Sequence, residues 1–133
     1  MKLFKNHARI TVTLLFCFFA AAGPNSQSMA ADYQKGVEAY IRGDFASALN
    51  EWTPLAEQGN NKALCDLGFM YSKGQGVTQN YPQAYAWYTV AASQGSEVAI
   101  KSRDIIIKEM SPGQLSEAQE LTKQIFNKIH GGR

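Results

Sequence analysis

The sequence predicts an all-α fold: an α/α solenoid of about three antiparallel helical hairpins. Three observations carry that expectation: an internal repeat, apolar stripes at helical spacing, and glycines or prolines at the ends of those stripes. Ala48 recurs as Ala84, 36 residues on. The same offset links Phe45 to Tyr81, Trp52 to Tyr88, Leu55 to Ala91, Ala56 to Ala92, Gln58 to Gln94, Gly59 to Gly95 and Ala63 to Ala99. So many matches in one register, on small and aromatic residues, mark a true structural period.

The first 30 of the 133 residues read as an export signal. Lys2, Lys5 and Arg9 supply a positive start, Ile10 to Ala22 is an apolar run, and a polar stretch leads to Ser28-Met29-Ala30. Small residues at Ser28 and Ala30 place cleavage after Ala30, with the next bond or the Ala20–Ala22 stretch as rivals. The apolar run is shorter than the roughly 20 residues that span a bilayer. The expected address is the periplasm, with the surrounding medium as second choice. No membrane span is expected after cleavage, and an uncleaved anchor is the alternative.

Removing the leader changes the charge. Of 13 basic residues, three lie in residues 1–30, so residues 31–133 carry ten against eleven acidic ones. The apparent basicity belongs to the leader, and no nucleic-acid-binding surface is expected. Cys65 is then the only cysteine, so a disulfide scaffold is excluded. What remains suits one small domain, residues 31–130, with hairpins at about 32–58, 60–94 and 96–128. A monomer is expected.

In the first hairpin, Gly36, Tyr40, Gly43 and Ala48 place two helices around a short turn. In the second, Ala63, Leu64, Leu67, Gly68 and Tyr71 form one helical stripe. Lys73-Gly74-Gln75-Gly76-Val77 ends it, Pro82 suits a first turn, and Ala84, Trp87, Tyr88, Ala91 and Ala92 make the returning stripe. Gly59 and Gly95 fit the left-handed position after a helix. Gly68, Ala84, Ala91 and Ala92 are small enough to let helices cross closely. In the third hairpin a helix over Glu97–Met110 precedes Ser111-Pro112-Gly113-Gln114, a capping-box sequence. Leu115, Ala118, Leu121, Thr122 and Ile125 stripe the last helix. Arg103 and Asp104 replace Leu67 and Gly68 there, as expected of a terminal unit.

The run from Ala63 to Val77, followed by Ala84, Trp87-Tyr88 and Ala91-Ala92-Ser93-Gln94-Gly95, resembles the Sel1-like repeat family, a relative of the tetratricopeptide repeats. The resemblance covers roughly residues 32–128. It implies a short α/α solenoid and a role in protein binding, as adaptor, secretion or envelope factor, or periplasmic regulator. Some exported members of the family are linked to β-lactamase-like activity, but those are cysteine-rich, and this chain departs from them.

The chemistry-bearing residues are sparse. Beyond the leader, His130 and Cys65 are the only histidine and cysteine, too few for a zinc site of three or four such ligands. Gly74-Gln75-Gly76 lacks the Gly-Lys-Ser/Thr of a phosphate loop and reads as a turn. Glu117 and Glu120 read as solvated, and Trp52, Tyr71, Trp87 and Tyr88 as core. No catalytic, cofactor-binding or metal-binding residue is assigned, and the expected function is non-enzymatic: an exported module that binds a protein or peptide. An envelope hydrolase or cell-wall-acting helper is the alternative. By the tetratricopeptide resemblance, the first helix of each hairpin lines the binding face. Val37, Phe69 and Ile105 take equivalent positions beside the core stripe there, with Asp66 and Lys73 as polar flanks; these five are the candidate partner-binding residues, the alternative being that the three apolar ones pack against the neighbouring first helix.

Overall fold

The computed structural model describes the backbone of residues 24–131 and the side chains of residues 28–131. Residues 1–23, which hold most of the expected export signal, lie outside the described residues. The chain divides into two compact units, Met1–Ala31 and Asp32–Arg133. Of the first, only helical residues 24–31 are described; the second carries the repeats.

The described residues form helices α1 (Pro24–Ile41), α2 (Phe45–Glu57), α3 (Asn61–Lys73), α4 (Tyr81–Ser93), α5 (Glu97–Ile107) and α6 (Pro112–His130), with no strand among them. Helix α1 packs on α2 and α3 on α4, while α5 and α6 follow in chain order and both pack on α4. Each helix from α2 onward starts on a side-chain cap: Asp44, Asn60, Asn80, Ser96 and Ser111 each accept the backbone N–H three residues on. The caps follow the repeat, since Asp44 precedes Asn80, and Asn60 precedes Ser96, by 36 residues. At Ser111 the expected capping box is complete, with Gln114 reaching back to the Ser111 N–H.

Gly59 and Gly95 take φ of +86° and +94° after α2 and α4, as the spacing predicts. These two turns are also tied to each other. Asn61 Nδ2 donates to the Ala91 carbonyl at 3.1 Å, and Gln94 Nε2 donates to the Gly59 carbonyl at 3.0 Å. The longer α3–α4 loop folds back on the first hairpin, where Gly76, at φ +72°, lies against the backbone of Phe45. Tyr40 Oη donates to Gln75 Oε1 at 3.0 Å and fastens the same loop to α1.

The core runs between the hairpins. Ala48, Trp52, Leu55 and Ala56 of α2 meet Ala63, Leu64, Leu67 and Met70 of α3. Helix α4 packs against α3, α5 and α6, and accordingly buries residues on nearly every side, from Ala84 to Ala91. Ala99, Ile106, Ala118 and Ile125 close the far end.

The boundaries differ in two places. Helix α1 begins at Pro24, not near residue 32, because proline fits a first helical turn and residues 25–31 hold no helix breaker. Helix α5 ends at Ile107, not Met110. The N–H groups of Lys108, Glu109 and Met110 bond three residues back, a tightening that precedes Ser111-Pro112. Tyr71, read as core, is only half-buried, as are Leu115 and Leu121 of the last stripe.

Candidate functional site

The first helices of the hairpins, α1, α3 and α5, bring the five candidate residues onto one face. The face carries two shallow hollows. The first, of about 300 Å³, is lined by Tyr33, Val37 and Tyr40 of α1, Trp52 of α2, and Asp66 and Phe69 of α3. The second, of about 210 Å³, is lined by Phe69, Ser72 and Lys73 of α3, Tyr88 of α4, and Ser102, Ile105 and Ile106 of α5. Phe69 belongs to both, so its ring is the ridge between them. Val37 lies in one hollow, Ile105 in the other, and Asp66 and Lys73 flank the ridge at one helical turn either way.

Exposure separates the three apolar residues. Ile105 is 64 % exposed and Phe69 39 %, whereas Val37 is half-buried. Exposed hydrophobic side chains this large carry a hydration cost that a partner would relieve, at roughly 25 cal/mol per Å². Val37 contributes less because less of its side chain is open to solvent.

Asp66 is not a simple solvated flank. Tyr33 Oη donates to its Oδ2 at 2.6 Å. Burial pushes the Asp66 carboxyl above the usual carboxylate range, opposed by the Tyr33 hydrogen bond and the nearby Lys62. The Tyr33 phenol is raised strongly, first by burial and then by the carboxylate it serves. Lys62 Nζ stands 5.7 Å from the centroid of the Tyr33 ring, and Lys73 Nζ 6.0 Å from that of Phe69.

The Tyr33–Asp66 bond joins residues 33 apart, and no sequence signal points to it. Trp52, read as core, is core: it is 4 % exposed, and its Nε1–H donates to the Tyr33 carbonyl at 3.1 Å. Its ring edge nevertheless floors the first hollow. Tyr33, Val37 and Tyr40 recur at helical spacing, the one pattern from which this wall is readable.

Cys65 sits beside Ser96, with Sγ and Oγ 3.3 Å apart, and burial raises its thiol. Burial opposes a thiolate nucleophile here and outweighs the opposite pull of the Ser96 hydroxyl. His130 instead stacks on Phe126 at 5.8 Å between ring centroids. The structure therefore does not bring the two together. Glu117 and Glu120 are exposed. Among the described residues no three His, Cys, Asp or Glu side chains are grouped to hold a metal, and no helix is long and apolar enough to cross a membrane.

Capped helical hairpins in register, with an open apolar strip along their first helices, define an α/α helical-repeat protein. Residues 61–96, which comprise α3, its loop, α4 and the turn into α5, match the Sel1 repeat family model. Among solved structures, the chain is similar to a protective antigen present in uropathogenic Escherichia coli strains displaying an SLR fold. The two share 30 % identity and a TM-score of 0.71, over 85 % of this chain and 24 % of that one. The chain thus spans about a quarter of the length of that protein. No curated protein matches the sequence significantly. Residues 61–96 thus carry a Sel1 repeat within an all-α helical-repeat fold, and repeats of this kind generally mediate protein–protein interaction.

Proposed function

We propose that this protein is an exported, monomeric binding module that holds a protein or peptide partner in the cell envelope, as regulator or assembly factor, and carries out no catalysis of its own. The observation that supports this reading is the position of Phe69. Its ring walls both hollows, so the strip from Val37 to Ile105 is continuous across three helices. A strip of that kind, with Asp66 and Lys73 beside it, suits an extended or helical segment that inserts apolar side chains into the hollows. The charged flanks would set register and salt dependence.

Two experiments test the reading. A photo-crosslinking residue placed at Val37, Phe69 or Ile105 in living cells is expected to trap the same partner from each site, and one at the exposed Glu120 is not. Trapping from Glu120 alone would move the binding surface to the other face. A reporter enzyme active only outside the cytoplasm, fused after Arg133, is expected to be active, and the purified protein to begin near Ala31. An intact Met1 on envelope material would instead establish an anchored protein.

A further inference from the structure

The first hollow has a composition that the second lacks. Trp52 is its floor. Tyr33 and Tyr40 lie against that indole from α1, with ring centroids 5.8 and 5.9 Å away and planes tilted by 24° and 30°. Phe69 stands across from them on α3. Four aromatic side chains thus border about 300 Å³, and Asp66 supplies the single charge in the lining. Its Oδ2 is taken by the Tyr33 hydroxyl, while Oδ1 accepts no hydrogen bond from any described residue.

Aromatic faces carry negative potential, so rings gathered around a carboxylate attract a cation and gain little from a neutral or anionic group. An apolar side chain filling this space would take Asp66 further from water and leave Oδ1 unpaired, at the cost of a desolvated charge. The chain shows the preference on its own rings: Lys62 and Lys73 already place ammonium groups near the rings of Tyr33 and Phe69, at 5.7 and 6.0 Å from the centroids. Both lysines are exposed and outside the lining, where screening weakens their repulsion of an incoming cation.

We infer that the first hollow receives an arginine side chain of the partner, its guanidinium lying on the aromatic rings and donating to Asp66 Oδ1. Arginine fits better than lysine because its planar, weakly hydrated head both stacks and donates in a fork, whereas an ammonium is a compact, strongly hydrated point charge. The inference rests on the groove reading above and names the chemistry that anchors the partner there. The second hollow, which lacks a carboxylate and holds Lys73, takes the apolar neighbours of that arginine.

The probe is N-acetylarginine amide, compared by NMR with N-acetylcitrulline amide, which has the same shape and no charge. The arginine probe is expected to shift the Trp52 indole N–H and Phe69 ring signals saturably. The citrulline probe should bind about tenfold more weakly, a difference between those of an exposed and a desolvated cation–π contact. Asp66→Asn, which keeps an acceptor for Tyr33, should weaken arginine binding, leave citrulline unchanged and so narrow the gap between the two probes. Equal affinities for the two probes, or no saturation by arginine, would overturn the inference, and this comparison needs only the wild-type protein. Failure of the arginine titration with crosslinking at Phe69 and Ile105 intact would remove the arginine anchor and leave the groove. Loss of that crosslinking as well would remove both.

Discussion

Gly68 lies directly against the ring of Tyr88. A Cβ built on Gly68 would fall 2.7 Å from both Cδ1 and Cε1 of that ring, closer than non-bonded carbons approach. Gly36 and Trp52 make the same contact one hairpin earlier, where an added Cβ would enter the indole. The third hairpin does not repeat it, because Asp104 stands where Gly68 would be and turns its carboxylate to Arg103 at 3.2 Å. Two glycine–aromatic contacts therefore set how closely the first helices of the repeats approach the second ones.

This contact reverses an ordinary rule. In a helix interior, Gly→Ala usually stabilises by about 0.5–1 kcal/mol through lower backbone entropy in the unfolded chain. At Gly68 the new methyl must displace a buried ring, and overpacking costs about 1–3 kcal/mol. The steric term wins, so Gly68→Ala should lower the melting temperature and Gly68→Leu should lower it further with loss of cooperativity. Lys73→Ala, on an exposed position, should stay within about 0.5 kcal/mol of wild type. Thermal melts of the three variants check this, and equal melts for all would refute the packing.

The loop glycines should rank by what surrounds them. Gly76 and Gly95 both have positive φ, but a Cβ on Gly76 would meet the Phe45 carbonyl oxygen at 2.8 Å, whereas nothing lies within 4 Å of one on Gly95. Gly95→Ala carries only backbone strain, about 1–2 kcal/mol. Gly76→Ala adds a clash with main chain, which cannot rotate away. Urea denaturation should therefore show the larger loss for Gly76→Ala.

Asp66 makes stability depend on pH in an unusual direction for a carboxylate. Its folded-state pKa is raised by burial, so the protonated form is favoured on folding. That contribution is fully present below the unfolded value near 3.8 and is lost as pH rises through the folded value. At neutral pH the ionised group is a burden, which Asp66→Asn removes. The variant should melt above wild type at pH 7, and the difference should shrink as pH falls toward 4. A difference that grows on acidification would contradict the assignment.

Phe69 and Ile105 should prove separable from the fold. Their exposure means that Ile105→Ser costs little stability, within about 0.5 kcal/mol, and Phe69→Ala somewhat more because part of its ring is covered. Both should weaken partner crosslinking several-fold. Calorimetry beside the crosslinking assay distinguishes loss of binding from loss of fold.

Much of the architecture was readable without coordinates, and the reason is range. Gly59 and Gly95, Pro82, and the Ser111–Gln114 box act on backbone within four residues, so their identities specify turns and caps locally. The 36-residue register then repeats those local instructions and implies stacked hairpins. The caps at Asp44, Asn60, Asn80 and Ser96 lie in that same register and are local in the same way, each accepting an N–H three residues on. Helix ends were harder. Whether α5 stops at Ile107 or Met110 depends on a tightened last turn that competes with continued helix by a small energy.

The amino-acid sequence alone determined that there are six helices among the described residues, in these places along the chain, and the face on which Val37, Phe69 and Ile105 fall. Tertiary structure decided how much of each is exposed, that Tyr33 meets Asp66 across 33 residues, and that Trp52 is at once a core residue and the floor of a hollow. The distinction is physical. Periodicity fixes the direction of a side chain from its own helix axis, but exposure depends on the distance and angle between helices. Those are set by pairs such as Gly68 with Tyr88 and Gly36 with Trp52, whose fit exists only once the hairpins have closed on each other.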